Sequence, residues 1–150
     1  VACRPADPAF ERRVRESFAR QRVMATIGAR LTAVEPGDIE IELPWREDLT
    51  QQHGFLHAGV VTTVLDSACG YAALSLMPAD AAVLSVEYKV NLLAPASRGT
   101  LRARALVVRA GRTLSVCTAD ARLSVDGRER HVATMLATMM TVVGRDELRD

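Results

Sequence analysis

Lysine is almost missing from this chain of 150 residues: of 19 Lys and Arg, only Lys89 is a lysine. With 18 acids the formal charge is +1, so no excess of either sign marks a nucleic-acid or anionic-membrane partner. Cysteine is scarce too. Cys3, Cys69 and Cys117 are odd in number and lack metal-ligand spacing, which argues against a disulfide scaffold and reads as reduced thiols in a cytosolic protein. The apolar runs are too short, or too broken by Thr, Ser and Asp, to span a bilayer. From its polar, charged start no signal peptide is expected. Repeats, low-complexity tracts and linkers are absent as well. The expectation is one cytoplasmic domain over residues 1–150, with no metal and no cofactor.

The elements are legible from periodicity. Asp7 can cap a helix with Pro8 at its first position, and Phe10, Val14 and Phe18 recur at i+4, which predicts an amphipathic helix over about 7–22. After a Pro36-Gly37 turn, Ile39, Ile41 and Leu43 alternate with acids as in a half-exposed strand. A loop from about 46 to 56 leads into an apolar helix over about 57–76, rich in small residues (Ala68, Gly70, Ala72, Ala73) and stopped before Pro78. Strands follow at 81–93, 100–109, 113–125 and 129–143, with Asp126-Gly127 as a tight hairpin turn. The order predicts an α+β domain, one long buried helix wrapped by an antiparallel sheet whose last four strands form a meander.

One acid stands inside the apolar helix. Asp66 has Thr62, Thr63, Cys69 and Gly70 at i±3 and i±4, so no local cation pairs with it. Long-range pairing can explain such an acid, and so can chemistry. The start of the same helix offers unpartnered N–H groups with partial positive charge, flanked by Gly54 and Gly59 and by the side chains of Gln51 and His57. Such a terminus can receive the oxygen of a polarised carbonyl, while His57 taken alone reads first as a plain helix N-cap or a hydrogen-bonded core residue. Ala58 and Asp66 are roughly 12 Å apart along the axis. One helix therefore cannot aim both at one reacting atom, but two antiparallel copies can, which predicts a composite site across a two-fold dimer.

The run Gln51-x-x-Gly54-x-x-His57-x-Gly59 followed by Asp66, the segment from Leu84 to Ala96, and Gly111-Arg112-Thr113 occur here in that order. Together they resemble the hotdog-fold acyl-CoA thioesterases, in particular the phenylacetic-acid-degradation group and the related 4-hydroxybenzoyl-CoA thioesterases, over about residues 35–143. The resemblance implies a hotdog core over about 30–143. It also implies a homodimer or homotetramer and an acyl-CoA substrate, CoA being part of that substrate. By it Asp66 is general base or nucleophile, Gln51 contacts the thioester or water, His57 orients the helix start, the Ala58 N–H is the oxyanion donor, and Ser85 assists in placing water.

Two positions depart from the pattern. The usual pair of glycines after the His is Ala58-Gly59, and Gly70 stands where some relatives carry a Thr that helps to hold water. Gly59 and Gly70 are expected to border the substrate. Arg112, with Gly111 and Thr113, is the first candidate for the CoA phosphates and Arg98 the second; a solvated strand face is the other reading for these arginines and for Lys89. Two further functions stay open: a hotdog hydratase or dehydratase, and a non-catalytic acyl-CoA-binding protein.

Overall fold

The computed structural model describes residues 4–145 and 147–148; Cys3 lies outside them. The first helix, α1, spans Phe10–Arg20 and so is shorter than its predicted 7–22. Asp7 is not the cap: the N-cap is Ala9, without a side-chain cap bond, and Asp7 Oδ1 accepts the Ala9 N–H at 2.8 Å within the turn that holds Pro8 and Ala9 ahead of the helix. Val14 is fully buried, with Phe10 and Phe18 packed beside it. Arg13 shares that inward face.

Two elements were not predicted. A short helix α2, Arg22–Ile27, ends at Gly28, whose φ of 78° lets the Ala29 N–H turn back to the Met24 carbonyl at 2.9 Å. Strand β1 then covers Arg30–Glu35. It lacks alternation because it is an edge strand with Val34 as its one buried residue. The Pro36-Gly37 turn joins it to β2, Asp38–Pro44, whose Ile39, Ile41 and Leu43 are wholly buried as the alternation predicts.

The long helix α3 spans Ala58–Leu74 and is followed by β3 (Ala82–Leu92), β4 (Thr100–Arg109), β5 (Leu114–Val125) and β6 (Arg128–Val142). Asp126 and Gly127, with φ of 49° and 75°, form the left-handed turn between β5 and β6. The six strands lie in the order β1-β2-β4-β5-β6-β3, all neighbours antiparallel. The last four strands are therefore not a simple meander. The connection through α3 crosses the sheet's inner face, so β3 lands at the far edge against β6 and β2 takes the place beside β4.

Alanines line the inner face, among them Ala103, Ala105, Ala119, Ala121 and Ala137, and meet Ala68 and Ala72 of α3. Small side chains on both surfaces let the sheet curl tightly round the helix. The outer face carries ions. Arg102 lies within 3.1 Å of Glu42 and 3.0 Å of Glu129, and Arg104 within 2.5 Å of Asp38. Lys89 donates to the Asn91 side chain at 3.1 Å on exposed β3, in keeping with a solvent-facing lysine.

Candidate active site

Loop 51–57 is pinned on several sides, and this fixes where α3 begins. Gln51 N–H donates to the Phe55 carbonyl at 2.9 Å, Leu56 N–H to Ala96 and His57 N–H to Leu49, each also at 2.9 Å. The Trp45 indole donates to the Gly54 carbonyl at 3.2 Å. His57 is the N-cap, its Nδ1 accepting the Gly59 N–H at 2.9 Å. The His57 carbonyl accepts Val60 and Val61. Of the first four amides of α3, that of Ala58 alone has no partner among the described residues. Ala58 lines an apolar cavity of about 460 Å³ with Gln51, Phe55, Leu92, Leu93 and Pro95. The Gln51 side-chain oxygen Oε1 accepts the His53 N–H, which fixes the side chain at the cavity wall.

Asp66 stands two turns further along α3, half-buried, with no ion pair among the described residues. Its Oδ1 accepts the Ser85 hydroxyl at 2.7 Å. The β3–β6 register slips between Ser85 and Glu87, a bulge that re-aims side chains where it falls. Asp66, Ser85 and Gly70 border a second, polar cavity of about 110 Å³, closed by Gln21, Ser67, Tyr71 and Val83. No residue lines both cavities. Gln51 and Ala58 are thus together, Asp66, Ser85 and Gly70 are together, and one protomer keeps the two groups apart.

Arg112 and Thr113 border neither; they line a third cavity of about 680 Å³ with Leu84, Met140 and Val142. Gly111 has a structural reason to be glycine, because an added Cβ would press into the Leu114 carbonyl oxygen. Gly59 is tight as well, its would-be Cβ 3.0 Å from His57 Nδ1. Arg98 stacks on Trp45 at 4.6 Å, and neither it nor Arg112 has an ion pair among the described residues.

Burial is the first cause that raises the Cys69 thiol, with Cys117 and then Asp66 adding to it, and burial alone pushes Cys117 up to about 12. Both are free thiols. No three His, Cys, Asp or Glu side chains cluster as metal ligands do among the described residues. The sequence reading missed Gln21, Ser67 and Tyr71 beside Asp66. Tyr71 lies one turn and a residue beyond the acid and could have been found; Gln21 arrives only through tertiary packing.

A helix clasped by an antiparallel sheet, with its amide-rich start bordering an apolar cavity, is the hotdog architecture. Residues 53–129 match the profile of the thioesterase superfamily. A solved thioesterase family protein from Silicibacter pomeroyi is 58% identical, covering 90% of this chain and 99% of its own, with a TM-score of 0.89. The 1,4-dihydroxy-2-naphthoyl-CoA hydrolase of Listeria monocytogenes is 30% identical over 61% of this chain and 74% of its own. The E. coli PaaI protein from the phenylacetic acid degradation operon is 17% identical and shares the fold at a TM-score of 0.83, covering 93% of this chain and 97% of its own. The chain belongs to the thioesterase superfamily and is a thioester hydrolase.

Proposed function

We propose that this hydrolase cleaves an acyl-CoA thioester to the free acid and CoA, as a two-fold homodimer whose sites each draw on both protomers. The observation that carries the proposal is the separation of two complementary half-sites. The acid with its serine lies in one cavity of the protomer, and the unpartnered Ala58 N–H lies in another. A second copy unites them. Strand β3 supports such an assembly, because its outer edge is unpaired among the described residues and carries Leu84, Val86, Tyr88 and Leu92 in the open, Val86 at 51% exposure.

The thioester carbonyl oxygen sits at the Ala58 N–H of one protomer, with Gln51 beside it, and Asp66 of the other faces the carbonyl carbon. Asp66 takes a proton from water as that water attacks, and Ser85 holds the carboxylate in place. The tetrahedral oxyanion is stabilised by the helix terminus. Its collapse breaks the C–S bond, and the CoA sulfur leaves and takes up a proton. If Asp66 attacks the carbonyl itself, an anhydride forms with loss of CoA and water then opens it. After a single turnover in ¹⁸O water, label in Asp66 identifies the anhydride route with water attacking the Asp66 carbonyl carbon; attack at the acyl carbon labels only the product acid in either route.

The cavity wall of Phe55, Leu92, Leu93 and Pro95 offers apolar contact to the substrate. Arg112 and Arg98, neither in an ion pair among the described residues, are the candidates for meeting the CoA phosphates. The whole chain, including the N-terminal helices packed on α3, works as one domain in this reading. The test is thiol release from a panel of aryl and alkyl CoA esters. Release with wild type and its loss in Asp66→Ala is the expected result; a panel with no thiol released at all would overturn the proposal.

A further inference from the structure

Gln21 sits where α1 ends and α2 begins, and three contacts fix its place. Its N–H donates to the Phe18 carbonyl at 3.1 Å, its carbonyl accepts the Met24 N–H at 3.0 Å, and the Phe18 ring packs on that of Tyr71 in α3 at 5.7 Å. The junction delivers the Gln21 side chain to the polar cavity that Asp66 borders. Two acceptor atoms there lack a donor among the described residues. The side-chain oxygen Oε1 of Gln21 is buried without a hydrogen-bond partner. Asp66 Oδ1 accepts the Ser85 hydroxyl, and Oδ2 is left without a bond. A buried acceptor is costly to leave unmet, and two acceptors cannot bond each other. A water molecule, with two hydrogens to donate, serves both. The cavity, at about 110 Å³, has room for a few waters, and its polar wall supplies the partners that a held water needs. Gly70 leaves the same space open, since a Cβ added to it would meet nothing within 4 Å. The last torsion of a glutamine side chain is soft, so Oε1 turns to a donor in the cavity at little cost.

We infer that Gln21 is a further residue of the hydrolytic site: together with Asp66 it holds the attacking water and aims it at the acyl carbon. The inference rests on the reading of Asp66 as general base. The water donates one hydrogen to Asp66 Oδ2 and the other to Gln21 Oε1. With both hydrogens taken, a lone pair points away from the two acceptors, toward the thioester. As the water oxygen bonds to the acyl carbon, the first proton passes to Asp66. The second stays on the new hydroxyl, still bonded to Gln21. The C–S bond then breaks, and the CoA sulfur takes the proton from Asp66. Gln21 is neutral, so it orients the water without competing for the proton. It lies outside the residues 53–129 that match the family profile, so this part of the site comes from the chain's own N-terminal segment.

The experiment measures kcat, KM and the pH profile of thiol release in wild type, Gln21→Leu and Gln21→Glu, on the ester of the aryl and alkyl CoA panel that wild type cleaves fastest. Gln21→Leu should lower kcat by about tenfold or more with KM within about twofold of wild type. Gln21→Glu keeps an acceptor for the water, so near pH 8 its kcat should return to within a few-fold of wild type. Asp66 and Tyr71 are the titratable residues that line the cavity, and a second carboxylate beside Asp66 should move the acid limb of the profile to higher pH. A crystal structure of wild type should show a water within about 2.5–3.0 Å of both Asp66 Oδ2 and Gln21 Oε1, lost in Gln21→Leu. Unchanged kcat in Gln21→Leu, no bridging water in wild type, or a Gln21→Glu enzyme as slow as Gln21→Leu at every pH overturns the inference and leaves the Asp66 chemistry standing. No thiol from any ester in wild type overturns the hydrolytic reading and the inference with it. Should Gln21→Leu fail to fold, Gln21→Met replaces it in the same comparison.

Discussion

Ser85 on edge strand β3 donates its hydroxyl to Asp66 Oδ1 on the buried helix at 2.7 Å, across 19 residues of sequence. The bond ties the acid of α3 to the strand that forms the sheet's open edge. Asp66→Asn keeps the shape and removes the proposed base, and should lower kcat by ~10²–10⁴ with the melting temperature within a few degrees of wild type. Ser85→Ala should cost about tenfold, and the double variant should be no slower than Asp66→Asn alone, because the serine acts through the acid. Thiol-release kinetics on the three proteins check this. An Asp66→Asn enzyme at wild-type speed removes the acid from the mechanism.

Edge strand β3 predicts a linked loss of assembly and activity. Val86 falls at the bulge, where the β6 ladder skips it, and its side chain is exposed. Val86→Asp should therefore leave the protomer folded while placing a charge in the middle of the open edge. Sedimentation should show monomer where wild type shows dimer, and turnover should drop by about 10²-fold or more, as expected when an aimed donor is removed from the site. A fully active monomer would show that each protomer holds a whole site.

How much of this was written in the sequence differs by element. The alternation of β2 and the apolar, small-residue run of α3 are local signals, and both elements appear within a few residues of where they were expected. β1 has one buried residue and so no period to read. The place of β3 beside β6 is a choice of partner that leaves no mark on β3 itself. Arg13 shows the same limit. It reads as one more charge on an amphipathic helix, yet its guanidinium donates to the carbonyls of Leu74 at 2.9 Å and Met77 at 2.8 Å, where α3 ends. At the site, Asp66 stood out because its neighbours are apolar, whereas Gln21 has ordinary neighbours and becomes notable only once folding buries it.

The buried thiols predict how the fold answers to alkali. Unfolded, both cysteines ionise near 9.0; folded, Cys117 holds its proton to about 12 and Cys69 is raised as well, by burial before all else. Folded pKa values above unfolded ones mean that stability is fully present below pH 9 and declines as pH rises from there toward the folded values. The decline is about 1.4 kcal/mol per pH unit for each thiol. In a Cys3→Ser background, urea midpoints should fall above pH 9, and Cys69→Ala with Cys117→Ala should flatten that fall. Iodoacetamide at pH 8 should label neither thiol until urea unfolds the chain; rapid labelling of the native protein would contradict their burial.

Ala58 allows the proposed oxyanion donor to be removed without touching a side chain. It is the first residue of α3, and its N–H has no partner to lose among the described residues. Proline is well tolerated at that position because its missing N–H is one the helix does not use and its φ already suits the helix. The residue ahead of a proline must be extended, and His57 is, with φ −60° and ψ 137°. Ala58→Pro should therefore keep the melting temperature and the dimer while deleting one hydrogen-bond donor at the carbonyl oxygen. Loss of one such donor costs ~10²–10³ in kcat. The matched control is Ala58→Gly, which retains the N–H and should keep kcat within a few-fold of wild type. If Ala58→Pro turns over like Ala58→Gly, the oxyanion is held elsewhere, and the start of α3 serves only to anchor the loop.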